Sequence, residues 1–265
     1  MTTYNEDSIS KYPAIELLKK LGYIYISPEE CAVERGSKYD TVLKNILRSQ
    51  LIKLNGYTYA NKERKFSSAN IERAIEDIDE PLTDGLVKTS EKIYDMLLLG
   101  RSYAENLGDG KILSFNLKYI DWDNFENNVF HVTEEFSVDN IDRSKNARPD
   151  IVLFINGIPF AVIECKAPTI SADQAVEQTI RNQTDDYIPQ LFKYVQIVMA
   201  TNKNTVKYAT TGTPKKFWNV WREQDTEFLQ NGLDKCITDR IPTEQDKNII
   251  SLFSKQRVKE LIKYF

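Results

Sequence analysis

Three charged side chains interrupt the most apolar stretch of this 265-residue chain. Asp150 opens the run Ile151-Val152-Leu153-Phe154-Ile155, and Glu164 and Lys166 close the run that begins Ile158-Pro159-Phe160-Ala161-Val162-Ile163. Carboxylates and ammonium groups are costly to bury without compensation, so their place at the ends of such runs suggests a use. Two carboxylates that face each other raise each other's pKa until a cation sits between them. Mg²⁺ suits that place, because it takes one or two carboxylates and completes its shell with waters and phosphate oxygens. The chemistry on offer is attack of water on a phosphate ester: the ion polarises a phosphoryl oxygen and acidifies a bound water. Lys166 would hold that water or neutralise charge building on the phosphate. By spacing alone, Glu-x-Lys reads equally well as an ordinary ion pair at a strand end.

The elements that must position these groups are two strands. A β-branched and aromatic run, then Asn156-Gly157, then a second such run predicts a β-hairpin inside a sheet buried on both faces. Glu164 and Lys166 share a face, and Cys165 points the other way. A two-residue turn at Asn156-Gly157 would set Asp150 opposite Ile163. A three-residue connection, with Gly157 left-handed and a bulge, would set Asp150 opposite Glu164, with Cβ atoms about 4.5–5.5 Å apart. We expect the bulged register.

Pro149-Asp150 followed by Glu164-x-Lys166 resembles the PD-(D/E)xK nuclease signature. More narrowly, RPDIVLFINGIPFAVIECKAP resembles the N-terminal nuclease domain of the restriction (R, motor) subunit of type I restriction–modification enzymes. LGYIYISPEECAVERGSKYDTVL (21–43), IDWDNFENNVFHVTEEFSV (120–138), IPQLFKYVQIVMATN (188–202) and KYATTGTPKKFWNVWRE (207–223) resemble other segments of the same domain, and 44–110 carries the likeness least. The resemblance implies an α/β fold, a mixed central sheet flanked by helices with a helical N-terminal region. It implies Mg²⁺-dependent endonucleolytic cleavage of duplex DNA, with Mn²⁺ as a substitute ion. Asp150, Glu164 and the Cys165 carbonyl would hold the metal, and Lys166 would orient water or stabilise charge. That family carries a Q-x-x-x-Y motif on the helix after the hairpin. Gln178 occupies the glutamine's place but Asn182 replaces the tyrosine, whereas Gln183 and Tyr187 fit the spacing one turn later. Methylation and specificity subunits are the implied partners, since nothing in the chain looks like a base-reading element. The family's ATP-driven translocase follows the nuclease domain. No G-x-x-x-x-G-K-[ST] loop occurs here, so ATP is expected only for a domain outside this chain, and the chain reads as an N-terminal fragment. The organisation expected is a helix-rich region over 1–88, the nuclease core over 89–222 and a helical extension over 223–265.

Composition bounds the alternatives. A hydrophobic fraction of 41% and a charged fraction of 28% fit a soluble globular protein. There is no apolar run of about 18 residues and no basic, apolar leader, so neither a membrane span nor a signal peptide is expected. Cys31, Cys165 and Cys236 are odd in number and widely spaced, which predicts a reducing cytoplasm rather than a disulfide framework or zinc site. The sole histidine, His131, reads as a strand residue. The net charge of −4 argues against a uniformly basic nucleic-acid binder, but Lys193, Lys203, Lys207, Lys215, Lys216 and Arg222 form a local basic stretch suited to phosphates. Phe217, Trp218 and Trp221 in that stretch are expected to pack rather than stack on bases.

Helices are expected over 8–21, 40–54 with Asp40 as cap, 67–79 with Ser67 or Ser68 as cap, 89–99, 173–187 and 255–265. Strands are expected at 23–26, 111–121, 128–137, 195–200 and 205–210, with a polar loop at 139–147. Glu34 or Glu91 could add an acid from a helix, though each reads as well as a solvated charge. Two further functions fit the same residues: a stand-alone PD-(D/E)xK repair or junction nuclease that cuts without ATP or partners, and a non-catalytic DNA-holding or docking module.

Overall fold

The computed structural model describes residues 10–264. Residues 8 and 9 of the expected first helix, and Phe265, lie outside the described residues. In chain order the elements are α1 (Tyr12–Lys20), β1 (Ile24–Tyr25), α2 (Pro28–Arg35), α3 (Lys44–Leu54), β2 (Tyr57–Tyr59), β3 (Lys62–Arg64), α4 (Ser68–Asp77), α5 (Leu86–Leu99), β4 (Arg101–Gly108), β5 (Lys111–Leu117), β6 (Phe130–Glu134), β7 (Val138–Asp139), β8 (Asn146–Ala147), β9 (Ile151–Ile155), β10 (Ile158–Cys165), α6 (Ala172–Asn182), α7 (Pro189–Phe192), β11 (Ile197–Thr201), β12 (Val206–Ala209), α8 (Thr226–Cys236), α9 (Glu244–Phe253) and α10 (Lys255–Tyr264).

Six strands form one sheet in the order β1-β6-β9-β10-β11-β12. β1 runs parallel to β6 and β10 parallel to β11, while the other neighbours are antiparallel, so the sheet is mixed and flanked by helices. A parallel neighbour needs a crossover, and α6 supplies it between β10 and β11. The alternation of β9 sorts its side chains. Val152 and Phe154 pack with Val162, Val198 and Ala200 against Ala175 and Val176 of α6. Ile151, Leu153 and Ile155 pack on the other face with Ile163, Cys165, Met199 and residues of α1 and α9, among them Leu17, Leu18, Ile249 and Phe253. Full burial of each such Val, Leu, Ile or Phe stabilises by about 1.5–3 kcal/mol, which is why this hairpin is the centre of the sheet.

The hairpin reaches the expected register by a different route. The turn has two residues, with φ of 53° at Asn156 and 86° at Gly157, the positive pair that a type I′ turn requires. A Cβ on Gly157 would lie 2.6 Å from the Leu43 carbonyl oxygen, so glycine is needed for the close approach as well as for the turn. The bulge lies further along, between Pro159 and Ala161. Proline cannot donate to a ladder and tolerates a central strand only at such an irregularity. The extra residue is Phe160, and beyond it Ile163 pairs with Ile151. Continued by one residue, that register sets Asp150 opposite Glu164.

Several elements differ from expectation. α3 begins at Lys44, not Asp40, and has no side-chain cap. The preceding residues are pinned in other ways: Leu43 N donates to Gly157 O and Thr41 Oγ1 to Gln190 O. α5 starts three residues before the expected 89, at Leu86. The expected strand 111–121 stops at Leu117 and pairs with β4, a strand not foreseen. A second small hairpin, β2–β3, was also not foreseen. The 139–147 loop is closed at its base by the β7–β8 pair. α6 ends at Asn182 rather than running to 187. Ser67 caps α4 as expected, accepting from Asn70 N. All three cysteines are buried thiols outside any disulfide, and no helix among the described residues is long and apolar enough to cross a membrane.

Candidate functional site

Asp150 and Glu164 lie on the α6 side of the sheet because they continue the alternation of Val152 and Val162. Asp150 is fixed by the strand opposite it: its Oδ2 accepts a 2.7 Å hydrogen bond from Cys165 N–H. Glu164 is completely buried. Its Oε2 accepts from Gln178 Nε2 at 2.9 Å, and its Oε1 is 3.5 Å from Asn182 Nδ2. Both donors come from α6, one turn apart. Lys166 leaves the sheet at this point, its N–H bonded to Thr201 O and its Nζ donating to the Cys165 carbonyl at 2.9 Å.

These residues border a polar cleft of about 740 Å³, lined by Asp150, Lys166, Gln178 and Asn182, by Arg181 and Tyr187, and by Glu135, Asn146, Ala147 and Arg148 of the facing loops. Glu135 is in the left-handed region, with φ of 50°. Its N–H donates to Asp150 O, and its carboxylate pairs with Lys11 and Arg148. Tyr187 stands with the Arg181 guanidinium 5.0 Å and the Lys145 ammonium 5.8 Å from its ring centroid. The rim thus carries several cations, the lining carries the carboxylates of Asp150 and Glu135, and Glu164 is buried behind it.

Of the residues singled out in the sequence, Asp150, Glu164, Lys166 and Gln178 come together. Gln183 does not join them. It is the C-cap of α6, with Nε2 donating to Thr179 O and Oε1 accepting from Gly212 N, so its amide ties the helix end to a distant loop. Tyr187 reaches the cleft from the turn after α6, not from the helix. Glu91 lines a separate, largely apolar cavity of about 550 Å³ with Tyr94 and Trp221, and Glu34 lies on α2, outside the cleft lining.

The basic stretch is less available than the sequence suggested. Lys193 is buried, its ammonium bonded to Asp79 at 2.6 Å and to Glu80 O at 2.6 Å. Lys207 pairs with Asp173 and Lys215 with Glu177, each at 2.6 Å, so acids of α6 answer two of the lysines. Lys203 has φ of 78°, and Lys216 lies 4.8 Å from the Phe217 ring. Trp218 packs in the core and Trp221 packs edge-on to Tyr208, as expected, but Phe217 is 63% exposed. His131 sits on β6, where burial lowers its pKa.

The participation of Asn182, Glu135, Arg148 and Arg181 was not read from the sequence. Only Asn182 had a signal, its four-residue spacing from Gln178.

A mixed α/β sheet with an acid-acid-lysine set where two central strands meet defines a nuclease-like core. The family model described as the type I restriction enzyme R protein N terminus matches residues 3–217, and the chain belongs to that family. It is 30% identical over 245 residues to the putative type I restriction enzyme MjaIXP endonuclease subunit of Methanocaldococcus jannaschii, covering 85% of this chain and 22% of that protein. It is 32% identical to the putative MjaVIIIP endonuclease subunit of the same organism, covering 79% of this chain and 20% of that protein. The EcoprrI endonuclease subunit of Escherichia coli is 24% identical, over 78% of this chain and 65% of that protein. The chain spans about a fifth of the length of the first two relatives.

Proposed function

We propose that this chain hydrolyses phosphodiester bonds of duplex DNA in the cleft beside Asp150, as the nuclease part of a type I restriction enzyme R subunit. The observation that carries this reading is the hairpin register, which sets Asp150 opposite Glu164 with Lys166 on the adjoining wall. The donor set fits a hard divalent cation. It offers oxygen only, from Asp150, Glu164 and the Cys165 carbonyl, which suits Mg²⁺ with Mn²⁺ as substitute. No cluster of three or more His, Cys, Asp or Glu fit for a metal occurs among the described residues, so the carbonyl and waters would complete the shell. When bound, the ion would polarise the phosphate and acidify the attacking water.

The chain's own residues divide the remaining work. Gln178 fixes the plane of the Glu164 carboxylate. Lys166, tethered to the strand end, orients the water or neutralises charge developing on the phosphate. Arg148, Arg181 and Lys145 border the approach and would grip flanking phosphates, as cations do along nucleic-acid backbones. Lys203 and Lys216 would extend that track. The core of 89–222 would carry the chemistry, supported by 1–88 and 223–265. Base reading would fall to the specificity and methylation subunits, and ATP to a translocase domain.

The test is Asp150→Ala in the assembled enzyme. Cleavage is expected to disappear while ATP-driven translocation continues. Cleavage that persists would overturn the assignment.

A further inference from the structure

We infer that Asn182 is a positioning residue for the cation site, a reading that rests on the function proposed above. α6 presents two amides to one carboxylate. Gln178 and Asn182 are four residues apart and so share a helix face; one addresses Oε2 of Glu164 and the other Oε1. Held at both oxygens from one helix, the carboxylate cannot rotate freely about its last torsion, and it stays in place across the ladder from Asp150.

The other end of the Asn182 amide is the informative part. Its Oδ1 is buried and has no hydrogen-bond partner, although the side chain is part of the cleft wall. A buried carbonyl oxygen normally finds a donor, because leaving it unmet forfeits its solvation. The side chain itself is only 1% exposed, so bulk solvent does not meet this need. An acceptor beside two carboxylates repels an anion but welcomes a hydrogen. A hydrated divalent cation provides one, since Mg²⁺ keeps several waters and their hydrogens point outward. Asn182 therefore orients a metal ligand with its nitrogen and accepts from a water of the ion's shell with its oxygen.

The experiment measures Mn²⁺ binding to the intact protein, without DNA or turnover, by electron paramagnetic resonance and water proton relaxation. Wild type, Asp150→Ala, Asn182→Leu and Asn182→Ser are compared, with melting of the metal-free proteins as a check on folding. Partners in the shell around metal ligands typically contribute about 10–100-fold in affinity. Asn182→Leu is expected to bind Mn²⁺ at least about tenfold more weakly and to change the relaxation of bound water. Asn182→Ser replaces it in the test if the leucine variant does not fold. A folded variant that binds within about twofold of wild type overturns the role of Asn182 and leaves the nuclease reading standing. Wild type that binds no Mn²⁺, or Asp150→Ala that binds as well as wild type, overturns both.

Discussion

Asp246 and Glu164 are both shielded completely from solvent, and they are held in contrasting ways. Asp246 sits in the first turn of α9. Arg240 forks onto it with bonds of 2.6 and 2.8 Å, and Thr243 adds its N–H and its hydroxyl, each at 2.7 Å. Glu164 takes neutral amide donors from α6 and stands across the ladder from a second carboxylate. At Asp246 a guanidinium and a helix cap absorb the charge within the fold. At Glu164 a second carboxylate stands across the ladder, an arrangement that a divalent cation would answer on the function proposed above. A forked, capped carboxylate stabilises; opposed carboxylates, on the function proposed above, would bind a cation.

The sharpest way to break that contrast is a pair of substitutions. Glu164→Gln should lower DNA cleavage by about 10³-fold or more, the scale of several kcal/mol of metal-assisted catalysis, with little change in melting temperature. Asp246→Ala should do the opposite, destabilising by about 2 kcal/mol through the lost cap and ion pair, with cleavage per folded molecule unchanged. Chemical denaturation and a cleavage assay on both variants decide it. Equal destabilisation of the two would erase the distinction.

A smaller effect tests the Asp246 side through pH. Burial pushes its carboxyl upward, but the bonds from Arg240 and Thr243 outweigh this and hold it below the ordinary value of 3.8. A carboxyl whose folded pKa lies below its unfolded one stabilises the protein above the unfolded pKa, and that contribution is lost as pH falls through the folded value. Thermal melts should therefore drop more steeply below about pH 4 in wild type than in Asp246→Asn. Identical profiles would mean that the fork contributes nothing.

The smallest effects separate buried from exposed lysines. Lys216→Ala should leave the fold intact and reduce the slope of log affinity for DNA against log salt by about 0.9, one phosphate contact. Lys193→Met should leave that slope unchanged while weakening the fold, because its ammonium is committed to Asp79. A slope lost at Lys193 would show that the ion pair opens to admit DNA.

The sheet centre was legible because β9 and β10 are apolar throughout, and burial on both faces leaves few other readings. β4 escaped notice for the opposite reason. Arg101-Ser102-Tyr103-Ala104-Glu105-Asn106 is mostly exposed, with only Tyr103 and Glu105 turned inward. Asp150, Glu164 and Lys166 could be picked out by type and spacing, but the availability of the basic stretch could not. Lys207 and Lys215 meet Asp173 and Glu177 only after α6 folds back across the sheet. Gln178 and Gln183 were indistinguishable as letters; the helix end at Asn182 separates them. The bulge left a trace that favoured Pro159 over Gly157, since a proline in a central strand demands an irregularity.

Phe160 and Ala161 both pack into the α1 and α9 side of the core although they are adjacent in a strand. That doubling reverses the phase of everything after it, and it brings Glu164 to the side where Asp150 already lies. The fourteen-residue spacing between the two acids therefore carries a parity as well as a length. Were the same sequence paired straight on from the turn without the bulge, Ile163 would face Asp150, yet the aspartate, the glutamate and the lysine would all be in place for any comparison of letters. In the folded chain the acids would then be on opposite sides of the sheet, and the motif would survive without its site.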